Sequence, residues 1–70
     1  MTLREFKALT NSPYEVYVPT EDTNYDVYAL RTSQTYKNVG AKHDEYIDKE
    51  IAYFEADTEH DYSIILVYLK

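Results

Sequence analysis

The chain of 70 residues lacks cysteine and tryptophan and has a single glycine, Gly40. Without cysteine it can form neither disulfides nor thiolate zinc sites. Such a short chain buries only about 60% of the surface that it exposes when unfolded, so it needs an efficient core, a metal ion or a partner chain. One glycine is too few for a glycine-rich phosphate-binding loop or a dinucleotide-binding fingerprint. These absences favour a small non-enzymatic domain that needs no cofactor.

Long apolar runs are also missing. The longest, Ile64 to Leu69, has the length of a strand, whereas a membrane-spanning helix needs about 18 apolar residues. Glu5 and Lys7 interrupt the N-terminal region, which therefore does not resemble a secretory signal peptide. We expect one cytoplasmic domain over residues 1–70, with no membrane contact.

Acidic side chains are concentrated in the C-terminal part of the chain. Residues 1–42 carry five acidic and five basic residues, whereas residues 43–70 carry eight acidic residues against two lysines, so the net charge of −6 belongs to this part. Acidic surfaces repel phosphate backbones, which disfavours direct nucleic-acid binding. They attract basic proteins. A charge of this size also keeps a small domain soluble without any further role.

A helix is predicted over residues 2–10. Thr2 and Glu5 have the spacing of a capping box, in which each residue satisfies a backbone amide of the other. Pro13 disfavours a helical conformation at the residue before it and so ends the helix. The apolar positions recur at helical spacing and are Leu3, Phe6 and Leu9.

Alternating apolar residues predict two β-hairpins after this helix. The first pairs a strand over 14–18, ended by Pro19, with a strand over 25–31, and it brings Tyr17 opposite Tyr28. Residues 32–43 are interpreted as a connection.

The second hairpin is predicted in the acidic part of the chain. Residues 44–49 fit a short helix, and residues 50–56 fit either a helix or a strand. The strand is favoured because 57–61 has the composition of a turn that leads into a clear strand over 62–69.

The last strand is apolar on both faces. Ile64, Leu66 and Tyr68 point one way, and their alternates Ile65, Val67 and Leu69 point the other, so both faces of this strand should be buried. The helix covers one face, and residues 44–49, the long connection or a second copy of the chain covers the other. The sequence thus predicts an α+β fold, with the N-terminal helix packed on a small, mainly antiparallel four-stranded sheet, and it leaves a homodimer open.

Two clusters combine histidine with carboxylates, the ligand types of divalent metal sites. Adjacent residues on a strand or a tight turn point apart, however, so solvated loops explain both clusters better. The chain has no nucleophile or metalloprotease motif, and we expect no enzymatic activity. The weak metal candidates are His43, Asp44, Glu59, His60 and Asp61.

The nine tyrosines are the most unusual feature of the composition. Most of them lie in predicted strands, where β-propensity explains them. Tyr36 and Tyr46 lie in polar surroundings and are the best candidates for exposed anchors of a protein interface. The predicted partner-binding residues are Asp44, Glu45, Asp48, Asp57, Glu59 and Asp61, with Tyr36 and Tyr46.

Three segments resemble those of short proteins encoded by prophages and mobile elements of Gram-positive bacteria. They are the opening Met-Thr-Leu-Arg-Glu-Phe, the strand Tyr-Glu-Val-Tyr-Val, and Asp-Lys-Glu-Ile before the closing hairpin. Some proteins of similar size and acidity inhibit host defence, including anti-CRISPR proteins that occupy the DNA-binding surface of a nuclease. The resemblance implies a binding protein for a basic partner in the host cytoplasm and assigns no functional residue. The alternative is a homo-oligomeric structural or accessory protein.

Overall fold

The computed structural model describes residues 1–21, 27–29, 34–57 and 63–70, and for 27–29 it describes the backbone alone. The predicted α+β class is confirmed, with an N-terminal helix against a mainly antiparallel sheet. A short strand over Thr35–Asn38, inside the segment interpreted as a connection, adds a fifth strand to the four that were predicted, and the strand predicted over 25–31 is described over Val27–Ala29. The elements are α1 (Leu3–Leu9), β1 (Tyr14–Thr20), β2 (Val27–Ala29), β3 (Thr35–Asn38), a 3₁₀ helix (Gly40–Tyr46), β4 (Ile51–Asp57) and β5 (Ile64–Leu69).

Helix α1 begins with the predicted capping box. The Thr2 amide donates to the Glu5 carboxylate at 2.9 Å, and the Glu5 amide donates to the Thr2 hydroxyl at 3.2 Å. Leu3 and Phe6 are buried against the sheet, whereas Leu9 at the end of the helix remains 75% exposed. The capping box is therefore confirmed, and the predicted apolar stripe covers the sheet with its first two members only.

The sheet has the strand order β2-β3-β1-β5-β4. Neighbouring strands are antiparallel except for β1 and β5, which run parallel, with Tyr14 opposite Ile65 and Tyr17 opposite Tyr68. Strand β5 is interior, and it buries Val67 on one face and Tyr68 on the other. The prediction that this strand is buried on both faces is confirmed.

The predicted first hairpin is wrong in its pairing. Strand β1 pairs with β3, which lies within the segment interpreted as a connection, and Tyr17 lies opposite Asn38 instead of Tyr28. β3 is short and polar, so it lacks the alternation that identifies a strand. Its Asn38 amide donates to the Glu15 carboxylate at 2.6 Å, which stabilises a polar pair across the two strands.

Strand β1 also continues through Pro19 to Thr20, although Pro19 was predicted to end it. Val16 accepts a bond from Val39 on the β3 side, so alternation directs the backbone of Pro19 toward β5. The parallel register, with Tyr17 opposite Tyr68, leaves Pro19 level with the end of β5. Because Pro19 has no N–H to donate toward β5, it falls where the β1–β5 pairing ends.

The second half contains the predicted strand but a displaced helix. The helix expected over 44–49 is instead the 3₁₀ helix, which begins at Gly40 with φ of +57°. The strand predicted over 50–56 is confirmed as β4, with a bulge between Ile51 and Tyr53. This bulge places Ile51 and Tyr53 on opposite faces of the sheet, where simple alternation had placed them on one.

Two buried clusters lie on the two faces of the sheet. The helix face is the side that packs against α1, and the tyrosine face is the opposite side. The helix-face core consists of Leu3, Phe6, Val16, Val18, Ile51, Val67 and Leu69. The tyrosine-face core consists of Tyr17, Tyr36, Leu66 and Tyr68, with Tyr53 and Ile64 packed against it.

Candidate functional site

The tyrosines of the tyrosine face form one packed cluster around Tyr68. The Tyr68 ring stacks on Tyr53 at a centroid distance of 4.8 Å and on Tyr17 at 5.2 Å. Tyr36 meets it edge-on at 5.0 Å. Offset stacks and edge contacts of this kind contribute beyond simple burial of area. These rings therefore belong to the core.

Tyr36 was predicted to be exposed, and this is wrong. Its position in β3, opposite Pro19, directs the ring into the tyrosine cluster and leaves it 6% exposed. Tyr46 follows the prediction more closely. It lies at the end of the 3₁₀ helix, is half-buried and packs against the helix-face core. Of the two predicted aromatic anchors, only Tyr46 keeps an accessible surface.

Two of the predicted partner-binding acids pair with helix α1. The Lys7 ammonium lies 2.7 Å from the Asp44 carboxylate, and the Arg4 guanidinium lies 3.0 Å from the Asp48 carboxylate. The hydrogen bond from Lys7 lowers the pKa of Asp44, and the bond to Asp48 raises the pKa of Arg4. Part of the acidity concentrated in residues 43–70 is thus neutralised by the basic side chains of α1.

The other predicted acids lie at different places. Glu45 is exposed on the 3₁₀ helix, and Asp57 is half-buried at the end of β4. Glu59 and Asp61 lie outside the described residues. The structure therefore does not bring the predicted acids together as one surface within its described part.

The first metal cluster is not assembled as a ligand set. His43 Nδ1 lies 3.2 Å from the carbonyl oxygen of Gly40, and His43 Nε2 lies 3.6 Å from the Asp44 carboxylate. Among the residues that the structure describes, no group of three or more His, Cys, Asp and Glu side chains could hold a metal ion. The second cluster, Glu59, His60 and Asp61, lies outside those residues.

The outer edge of β4 presents backbone hydrogen-bonding groups. The Lys70 N–H donates to the Glu50 carbonyl, so the alternate residues Tyr68 and Leu66 direct their backbone groups toward β4. Their partners are Tyr53 and Glu55. By the same alternation, Phe54 and Ala56 direct their backbone N–H and C=O groups away from β5, toward solvent.

This edge is covered only at its beginning. The Ile51 N–H donates to the Met1 carbonyl at 2.8 Å, and Thr2 forms an isolated bridge with Glu50. Beyond that bridge, no other strand of the described ranges pairs with the outer side of β4. Exposed strand edges are sites where another chain can add a strand.

An apolar groove adjoins the same edge. The Phe54 side chain is 45% exposed, and its ring contacts that of Phe6 at a centroid distance of 5.2 Å. The groove has a volume of about 330 Å³ and is lined by Phe6, Phe54, Glu55, Ala56 and Ile65. We call this groove, together with the outward backbone groups of Phe54 and Ala56, the β4 edge site.

Sequence reasoning missed the β4 edge site. The alternation in residues 50–56 identifies a strand, but it cannot show whether that strand lies at an edge. A signal was nevertheless present, because β4 combines a phenylalanine with carboxylates and has no basic residue.

Comparisons with protein-family models, with curated proteins and with solved structures find no match to this chain. Neither α1 nor any other helix of the described segments is long and apolar enough to cross a membrane.

Proposed function

We propose that this protein is a non-enzymatic protein-binding module that binds an extended, basic segment of a partner along the β4 edge site. The exposed Phe54 on an edge strand carries this proposal. A large aromatic side chain at 45% exposure, beside outward backbone N–H and C=O groups, is what strand addition uses. The main-chain bonds give affinity, and the side-chain groove gives selectivity.

The chemistry of the site defines the partner segment. An apolar side chain of the added strand occupies the groove that Phe6, Phe54 and Ile65 line on the helix face. The alternate side chains of that strand lie over the tyrosine face, where β4 carries Glu55 and Asp57. Carboxylates at these positions favour lysine or arginine in the partner. The partner strand therefore alternates apolar and basic residues.

The same charges disfavour a second copy of this chain at the edge. Two β4 strands paired with each other would bring four carboxylates close together, because each strand contributes Glu55 and Asp57 and no base. Like charges on paired strands are destabilising. A homodimer through β4 is therefore the weaker candidate, and the homo-oligomeric alternative would need another surface.

A basic partner agrees with the resemblance to short prophage and mobile-element proteins. Within this proposal, the partner is a nucleic-acid-binding protein of the host cytoplasm, whose basic segment the module occupies. Glu45, Asp57, Glu59 and Asp61 stay in the proposal as acids that attract this partner. Asp44 and Asp48 each already have a cationic side chain within 3.0 Å.

A proline at position 56 tests the strand addition. Because the Ala56 N–H points outward, Ala56→Pro removes no bond between β4 and β5 but blocks an added strand. The probe is a peptide of alternating lysine and valine with the seven-residue length of β4. We expect amide chemical shifts at residues 53–57 of the wild type to move during titration, and those of the variant to stay unchanged.

Matched controls distinguish binding at the β4 edge site from nonspecific binding. A peptide of alternating glutamate and valine should not bind, because its charge is that of β4. Phe54→Ser should weaken lysine–valine peptide binding, whereas Leu9→Ser, at an exposed apolar residue of α1, should leave it unchanged. Equal binding by wild type and Ala56→Pro would refute the proposal. Light scattering that shows a stable dimer lost in Ala56→Pro would instead assign the edge to a second copy.

A further inference from the structure

Four of the five lysines lie at one end of the molecule. They come from separate elements: Lys37 from β3, Lys42 from the 3₁₀ helix, Lys49 from the turn before β4, and Lys70 from the end of β5. Two adjoining hollows, of about 390 and 360 Å³, lie between them and share Lys37 and Tyr46 in their walls. We call this surface the lysine groove.

The fold positions these lysines by its main-chain bonds. Lys37 lies opposite Val18 in the β1–β3 register, which places it on the helix face. The Lys49 N–H donates to the Tyr46 carbonyl at 3.0 Å, and the Lys70 N–H donates to the Glu50 carbonyl at 3.0 Å. The last two bonds hold Lys49 and Lys70 beside each other at the rim.

The ammonium groups of Lys42, Lys49 and Lys70 differ from the basic groups on α1. Lys7 and Arg4 are each paired with a carboxylate. Lys42, Lys49 and Lys70 form no ion pair with any residue in the described part of the chain. Among the residues that the structure describes, Glu45 is the one acidic residue that lines the groove. A local positive field thus persists in a protein with a net charge of −6.

The groove has mixed polar and apolar walls that include one aromatic ring. The half-buried ring of Tyr46 forms part of its wall, and the core residues Val18 and Leu69 lie beneath it. A planar ring can stack on such a tyrosine, while clustered ammonium groups bind phosphate oxygens. Hollows of this volume lie in the usual range for small-molecule sites, which is about 300–1,000 Å³.

We propose that the lysine groove binds a free nucleotide with two or more phosphates, its base against Tyr46 and its phosphates among Lys42, Lys49 and Lys70. A free nucleotide fits better than a nucleic-acid strand, because a strand would extend over the acidic remainder of the surface. The proposal is independent of the β4 edge site, because the two surfaces share no lining residue. The nucleotide proposal and the β4 edge proposal can therefore be refuted separately.

Calorimetric titration with ATP, without magnesium, is the direct test, and adenosine and tripolyphosphate are the comparison ligands. We expect ATP to bind most tightly, tripolyphosphate more weakly and adenosine least. Raising sodium chloride from about 20 mM to about 0.3 M should weaken ATP binding, because it screens exposed ammonium groups. Equal binding of adenosine and ATP, or no binding of ATP, would overturn the proposal. So would tighter binding of a single-stranded hexanucleotide, which would assign the groove to nucleic acid.

Two variants test the assigned residues. The triple variant Lys42→Gln, Lys49→Gln, Lys70→Gln should weaken ATP binding by about tenfold or more, since it removes three exposed charges. Lys7→Gln, a lysine outside the groove, is its control. Tyr46→Leu should weaken ATP severalfold and leave tripolyphosphate unchanged. Wild-type affinity in the folded triple variant would contradict the assignment, and if that variant does not fold, the salt dependence of the wild type decides.

Discussion

Replacement of Tyr68 by alanine should remove most of the stability of this domain. Tyr68 is fully buried in β5, between β1 and β4, and its ring contacts those of Tyr17, Tyr36 and Tyr53. Loss of a buried aromatic side chain costs about 3–5 kcal/mol, through lost transfer free energy and the cavity that remains. Each lost ring pair adds up to about 1.5 kcal/mol where the neighbours cannot close the gap.

This magnitude is comparable with the whole stability of a chain of this size. At about 0.05–0.15 kcal/mol per residue, a domain of 70 residues has a free energy of unfolding of about 3.5–10 kcal/mol. We therefore expect Tyr68→Ala to be largely unfolded, or to unfold at very low urea. Tyr68→Leu, which fills part of the volume, should lose less.

Urea titration followed by far-ultraviolet circular dichroism measures the effect. Leu9→Ala is the matched control, since Leu9 is exposed at the end of α1 and its truncation should change the free energy of unfolding by about 0.5 kcal/mol or less. A loss below about 1.5 kcal/mol for Tyr68→Ala would refute the reasoning. It would mean that the tyrosine face does not form a packed core.

Two further predictions concern helix α1. Thr2→Ala removes the hydroxyl that accepts a hydrogen bond from the Glu5 amide, and it should lower the free energy of unfolding by about 1 kcal/mol in urea titrations. An unchanged free energy of unfolding would refute the role of the cap. The second concerns acid. Bonds from the Thr2 backbone lower the pKa of Glu5, and the bond from Lys7 lowers the pKa of Asp44. Groups with a lowered folded-state pKa stabilise the fold above their ordinary values, 4.5 and 3.8, and lose that contribution as the pH falls through the folded values. Melting temperatures should therefore decline below about pH 4.5, less steeply in the double variant Glu5→Gln, Asp44→Asn; parallel curves would contradict this.

The features that sequence could predict are those with local causes. The capping box of α1 depends on two residues three positions apart. The burial of β5 on both faces is indicated by its uninterrupted apolar run, whereas a strand with one solvent-facing side alternates apolar and polar residues. In both cases the signal lies within one segment, and both predictions are confirmed.

The strand pairing was beyond sequence reasoning, because it depends on contacts between distant segments. The Asn38–Glu15 bond stabilises β3 beside β1, yet neither residue alone indicates a strand. The bulge after Ile51 changes which side chains share a face, and nothing in the alternation of residues 50–56 indicates it. Chain order therefore predicted the wrong neighbour for β1.

The candidate sites were predicted only in outline. Counting charges along the chain located acidity in residues 43–70, but it could not show that Asp44 and Asp48 meet the basic residues of α1. Nor could it show that four dispersed lysines converge around Tyr46. The spacing of residues along the chain carries little information about which side chains meet, because the strands of the sheet do not follow their order in the chain.

The parallel pairing of β1 with β5 has a consequence for synthesis of the chain. β1 and its partner β5 are separated by about fifty positions, and β5 completes the middle of the sheet. Pairings between such distant segments form slowly, because the intervening chain must lose entropy first. As the chain leaves the ribosome, the apolar residues of β1 stay exposed until β5 has emerged. The sheet is therefore expected to form only after β5 has been synthesised, and chaperone binding to nascent β1 would protect the chain during that interval.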